Sequence, residues 1–259
     1  MKPMKCRLVL VPGVLAALLT VAGAVVSPVR AEPPSFSVVA LGIAHAVFKV
    51  RPADAEPFSG HAFKIDLDVA ELRLIAAGDP PLRRTVEQIV APYPVVVAAN
   101  ASFFDKEGRT MGLAVDDGRV MAMSNRRPWG ALVIDGKQGR IMLGADIQDP
   151  LDHRLIVQGL PRLLVGGKVQ QLKPQIAERT AVCAGGHIVL LVVSTRVEAT
   201  AFARFLADPP DRGGLGCWDA LNLDGGPSTQ LVVKLPTLAL SLPGGWGVPN
   251  ALVVAPGKP

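Results

Sequence analysis

Apolar residues along this chain come in short runs, and glycine breaks the runs again and again. Residues 113–123 read LAVDDGRVMAM, two β-rich runs around an Asp-Asp-Gly turn, and residues 131–143, ALVIDGKQGRIML, repeat the plan with a longer loop. Residues 162–172, RLLVGGKVQQL, and residues 181–193, AVCAGGHIVLLVV, place Gly-Gly between apolar segments. Glycine supplies the positive φ that tight turns require, so each stretch predicts a hairpin. Residues 61–77, HAFKIDLDVAELRLIAA, read as strand and turn. Helical spacing is confined to two places. Residues 82–92 form a short stretch that ends at a proline, and residues 197–210 put Phe202, Phe205 and Leu206 on one face before Pro209 and Pro210 stop it. Successive hairpins argue against βαβ repeats. The expected fold is α+β, a hairpin-rich, mainly antiparallel sheet system flanked by a few short helices, in a single domain. No repeat of solenoid length and no low-complexity tract is present.

The N-terminal pattern differs from the rest. Lys2, Lys5 and Arg7 precede an apolar run over residues 8–26, and Val29-Arg30-Ala31 closes it with small residues at both cleavage-determining positions. That is the layout of a secretory signal peptide cleaved after Ala31, leaving a domain over residues 32–259 in the periplasm or outside the cell. An uncleaved anchor helix is the rival reading, against which Pro12 and two glycines in the run argue. With cleavage, no stable membrane span is expected.

Charge and cysteine content change meaning once this leader is set aside. Four of the 27 Lys and Arg lie in it and none of the 22 Asp and Glu, so the remainder carries a net charge of +1. No basic face is left to suggest nucleic-acid binding. Cys183 and Cys217 remain, and an even pair in an oxidising compartment reads as one disulfide, with two buried thiols as the alternative.

Two apolar runs each end in a polar residue and a bend. Residues 92–100, PYPVVVAAN, deliver Asn100 to a loop that continues through Ser102, Phe103 and Phe104, and residues 218–226, WDALNLDGG, deliver Asp224 to another. A rigid strand that positions a group for a loop to present is a common way to build a site. After Asp224, Gly225 and Gly226 free the backbone to turn its amides toward an oxyanion, and Ser228 and Thr229 add hydroxyl donors. The plainer reading is an Asp-Gly-Gly turn capped by those hydroxyls. Arg179 and Arg162 each offer a guanidinium fork for phosphate or carboxylate, or an ordinary ion pair with Glu178 or Asp219. Trp129, Trp218 and Trp246 can stack on sugars, but a single tryptophan per segment is more often core. His45, His61, His153 and His187 lack metal-ligand spacing, and no Gly-x-Ser-x-Gly, Walker or dinucleotide motif occurs, so neither metal nor cofactor is expected.

In order, these stretches resemble the phosphodiester glycosidase family over roughly residues 95–255. The blocks that carry the resemblance are Asn100 to Phe104, Gly112-Leu113, Leu160 to Leu163, Arg179-Thr180-Ala181, Ala220 to Thr229 and the closing GVPNALVV. Ala101 and Ser102 stand where the family has two glycines, and Pro227 stands where a third glycine is frequent. The resemblance implies a hydrolase that cleaves the glycosidic bond of a sugar 1-phosphodiester in envelope or extracellular glycans. It implies Asp224, Asn100 and Arg179 as catalytic groups, with Gly225, Gly226, Ser228, Thr229, Ser102 and Arg162 binding the substrate. Asp105 and Asp219 are candidates for a second carboxylate. Two rival classes are a non-catalytic carbohydrate- or phosphoglycan-binding protein assisting exopolysaccharide assembly, and a phosphoesterase cutting the other side of the phosphate. The oligomeric state has no signature in the sequence.

Overall fold

The computed structural model describes residues 33–94, 96–123 and 128–257; the expected signal segment, residues 1–31, lies outside the described residues. In chain order the elements begin with β1 (Ser37–Ala40), β2 (Ile43–Val50), β3 (Phe58–Asp66), β4 (Glu71–Ala76), α1 (Val86–Ile89), β5 (Val96–Asn100), β6 (Ala114–Asp116) and β7 (Arg119–Ala122). They continue with β8 (Gly130–Asp135), β9 (Gln138–Leu143), β10 (Leu155–Gly159), β11 (Arg162–Val165), β12 (Lys168–Val169), β13 (Ile176–Gly185) and β14 (Ile188–Glu198). The last are α2 (Ala199–Ala207), β15 (Ala220–Asn222), β16 (Leu231–Leu235), β17 (Leu238–Leu242) and β18 (Asn250–Ala255). All four predicted hairpins form, as β6–β7, β8–β9, β11–β12 and β13–β14. In the first of them Asp117 and Gly118 both take positive φ, 49° and 72°, the backbone that an Asp-Gly hairpin turn favours.

Strand pairing is antiparallel throughout the described residues. One sheet runs β1-β2-β3-β14-β13-β15-β11-β12, a second β7-β6-β10-β8-β9, and a third β17-β16-β5-β18-β4. The inward faces of all three meet in a shared core, with Phe63, Leu191 and Val193 from the first, Leu132, Ile134 and Leu155 from the second, and Val97, Leu231 and Leu252 from the third. Strand β5 is buried along its whole length because its other face is covered too, by Val86, Ile89 and Val90 in and beside α1. Burial on both faces explains why Val96 to Ala99 read as a continuous apolar run rather than an alternating one. The single-domain, mainly antiparallel α+β architecture is the one that the hydrophobic pattern predicts.

The two α-helices among the described residues are short and locally specified. Thr85 and Gln88 form a reciprocal capping box at α1, which satisfies two otherwise orphaned donors. At α2, the Glu198 carboxylate accepts from the amides of Thr200 and Ala201. Phe202 and Phe205 of that helix pack against Phe48 and Phe58 of the large sheet. The chain leaving α2 is tied back to β13 by the Cys183–Cys217 disulfide, whose Cα atoms lie 5.9 Å apart. Of the two readings of these cysteines, the paired one is present.

Candidate functional site

Asp224 sits just beyond the ends of β5 and β15, beside the middle of β13. Leu223 donates its amide to the Thr180 carbonyl at 2.9 Å, and Asp224 donates its own to the Ala101 carbonyl at 3.0 Å. Asn100 locks the junction: its Nδ2 donates to the Asp224 carbonyl at 2.7 Å, while its Oδ1 accepts from Thr180 Oγ1 at 2.7 Å and from the Gln230 amide at 3.1 Å. Four elements are thereby cross-linked through one fully buried carboxamide.

The side chain of Asp224 opens on a cavity of about 710 Å³. Phe103 and Trp129 supply an aromatic wall, their rings edge to face at 5.6 Å. Arg179, Lys173 and Asn222 are polar residues of the same lining. Arg179 is buried, its Nη2 donates to the Gln175 carbonyl at 2.6 Å, and its Nε has no partner. Burial holds this guanidinium below its ordinary pKa, which the Glu198 carboxylate partly restores. Asn222 is also buried, and its Oδ1 has no partner. Buried polar atoms left without a hydrogen bond are costly; both residues line the cavity, with these two atoms beneath its surface. The half-buried Asp224 carboxyl is pushed above its ordinary pKa by burial, against the pull of hydrogen bonds from the Ser228 hydroxyl and the Gly225 amide.

The expected group is therefore partly assembled and partly rearranged. Asp224, Arg179, Gly225 and Gly226 line one cavity. Asn100 lies behind it, because every acceptor and donor bond just described is internal. The predicted nest of amides is largely spent within its own turn. The Gly225 amide donates to Asp224 Oδ1, Ser228 to the Gly225 carbonyl and Thr229 to the Gly226 carbonyl, and Pro227 has no N–H. The Ser228 hydroxyl is taken by Asp224. Thr229 borders a neighbouring cleft with its Oγ1 buried and unpartnered. Ser102 is buried under the loop, its amide donating to Asn250 Oδ1. Arg162 faces Asp219 at 3.7 Å, the ion-pair alternative. Asp105 pairs with Arg109 at 2.9 Å on a separate loop. Neither Asp219 nor Asp105 reaches the cavity, and Asp224 is the sole carboxylate among its described lining residues.

Three contributors were not singled out as site residues from the sequence. Asn222 had a signal: in Asn222-Leu223-Asp224, residues two apart on an extended strand share a face. Lys173 had none, since it lies in an exposed loop without a motif. Trp129 is buried like a core residue yet borders the cavity. Elsewhere, His45 Nε2 and His61 Nδ1 meet at 3.0 Å although they are 16 positions apart. Burial lowers the pKa of both rings, and for His45 the nearby His61 adds to the effect. Asp66, Asp68 and His187 bring ligand atoms within 4.8 Å of one another at the surface, where Lys137 Nζ lies 3.9 Å from Asp68.

A model of the phosphodiester glycosidase family matches residues 93–255, which include every cavity residue named above. Among solved structures, the chain is similar to the catalytic domain of zebrafish N-acetylglucosamine-1-phosphodiester alpha-N-acetylglucosaminidase auto-inhibited by its pro-peptide. That match has 20% identity and a TM-score of 0.63, over 89% of this chain and 87% of that one. It is also similar to a Synechocystis protein at 16% identity and a TM-score of 0.57, over 82% of this chain and 62% of that one. A protein from Burkholderia pseudomallei described as exported matches at 16% identity and a TM-score of 0.54, over 80% and 75% of the two chains. These likenesses concern the fold. No curated protein sequence matches the chain.

Proposed function

We propose, for a chain that belongs to the phosphodiester glycosidase family, that the Asp224 cavity hydrolyses the glycosidic bond of a sugar 1-phosphodiester in envelope or extracellular glycans. The observation that carries the reading is the convergence of a burial-shifted carboxyl, a buried guanidinium and an aromatic wall on one cavity. Arg179 and Lys173 hold the phosphate and stabilise charge as it departs. Phe103 and Trp129 cover the apolar face of the sugar.

The reaction breaks the bond between the anomeric carbon and the phosphate oxygen, and water adds to that carbon. Asp224 takes a proton from the water, and the phosphate leaves as a monoester that ends with the transferred proton. A phosphate leaves without strong acid help, so one carboxylate serves as base while the pocket stabilises oxocarbenium-like charge. The raised pKa of Asp224 makes it a stronger base than an exposed aspartate. Export is supported by the Cys183–Cys217 disulfide, which persists in oxidising compartments. No helix among the described residues is long and apolar enough to cross a membrane.

The test is incubation with a panel of glycosyl phosphodiesters, read by mass spectrometry. Free sugar plus phosphate monoester is expected from the wild-type protein, with at least about 100-fold less from Asp224→Asn and Arg179→Gln. Binding with unchanged ligand after prolonged incubation favours a phosphoglycan-binding protein instead. Full activity in both variants removes the assignment of the site.

A further inference from the structure

Beside the Asp224 cavity the loop over residues 243–247, PGGWG, holds Trp246 in an unusual setting. Its backbone is fixed. The amides of Gly245 and Trp246 both donate to the Pro227 carbonyl, at 2.7 and 3.1 Å, and the Trp246 carbonyl accepts from Gln230 Nε2 at 2.8 Å. Gly244 lies so close that a Cβ there would stand 2.6 Å from Gln230 Cγ and 2.7 Å from the Pro227 carbonyl. Yet the indole this scaffold carries is 56% exposed. Leaving so large an apolar ring in water forgoes its burial energy, and a rigid backbone beneath an exposed aromatic is the form of a ligand platform.

The surroundings say what kind of ligand. Trp246 meets Phe104 edge to face at 6.5 Å, and the Arg83 guanidinium lies 5.1 Å from the centre of the Phe104 ring. These three border one open cleft together with Lys106. An exposed indole beside hydrogen-bond donors and positive charge matches a pyranose: its C–H face stacks on indole, and its hydroxyls or an anionic substituent reach the cations. A third cleft lies between the two, sharing Gly245 with the Trp246 cleft and Gly226 and Pro227 with the main cavity. Pro227 lines that cavity, and its carbonyl is the acceptor that anchors Gly245 and Trp246. The platform therefore stands one residue away from the rim.

We infer that Trp246, Phe104 and Arg83 form an aglycone subsite that binds a sugar ring of the glycan attached to the phosphate, beyond the bond that is cut. The inference rests on the glycosidase reading of the Asp224 cavity. It makes the substrate a glycan-linked phosphodiester rather than one with a small alcohol.

The experiment compares two phosphodiesters that carry the same sugar 1-phosphoryl group, one esterified to methanol and one to a trisaccharide. Trp246→Ala should raise KM for the trisaccharide ester about tenfold and leave kcat unchanged. It should leave both constants unchanged for the methyl ester, and Trp246→Phe should recover part of the loss. Equal effects on the two esters, or none, overturn the subsite while leaving the Asp224 assignment intact. A binding arm does not depend on turnover: saturation-transfer NMR with the phosphorylated trisaccharide and Asp224→Asn protein should show contact to sugar C–H groups. Adding Trp246→Ala should abolish that contact. Persistence of the signal, or its absence from the start, overturns the subsite whatever the fate of the hydrolase reading.

Discussion

Asp224 combines two demands that oppose each other. Burial raises its pKa, which suits a base but costs folding energy while the group is ionised. For a carboxyl raised on folding, the cost appears as pH rises through its ordinary value and is complete above the folded one. Asp224→Asn should therefore raise Tm at pH 7 relative to wild type, and the gap should close below the ordinary value of 3.8. If that variant instead melted lower at pH 7, the desolvation argument would be wrong. In pH–rate profiles, kcat should fall on an acid limb that lies above 3.8, because the base must be deprotonated. A limb at or below that value counts against Asp224 as the base. Asn100 acts differently. Asn100→Ala strips partners from the Asp224 carbonyl, Thr180 Oγ1 and the Gln230 amide, at about 3 kcal/mol. It should lower both the midpoint of denaturant unfolding and kcat, whereas a ligand-contacting role would spare the midpoint. From sequence alone Asn100 and Asp224 look equivalent, each polar at a strand end. Only tertiary packing decides that one faces inward and the other outward.

At the scale of elements, the hairpins were legible because each combines two apolar runs with a turn whose backbone needs glycine. The 197–210 helix was legible from its single apolar face and its terminal prolines. Sheet order was not. The third sheet joins β4, β5, β16, β17 and β18, and no local pattern says that residues 71–76 lie beside residues 250–255. The bend after Asp224 had two readings in the sequence, an amide nest and a capped turn. Gly-Gly permits a nest, but the chain closes a tight turn there and its amides bond within it. Under the proposed reading, the cationic side chains Arg179 and Lys173 do the work expected of main-chain donors. The loop between α2 and β15 depends on its covalent tie. The 34-residue separation of Cys183 and Cys217 corresponds to about 4 kcal/mol of loop-closure entropy. Replacing both cysteines by alanine should lower stability by about 2–4 kcal/mol in urea unfolding. A change under about 0.5 kcal/mol indicates that the segment is held by α2 packing instead.

At the scale of the molecule, three antiparallel sheets among the described residues share a core, and the cavity opens where β15 of the first and β5 of the third end together. Arg179 lies in β13, Asn222 ends β15 and Asp224 follows it, while Trp129 stands just before β8 of the second sheet and Lys173 in a loop. Residues 32–259 carry a net charge of +1, so under the proposed reading local groups, not a global field, attract an anionic substrate. The central claim is that the cavity severs the sugar side of the phosphate. Turnover of an accepted glycosyl phosphodiester in water enriched with oxygen-18 tests it most directly. The account predicts a phosphate monoester free of the label, since the new oxygen joins the anomeric carbon; label in the phosphate would show attack at phosphorus and contradict it.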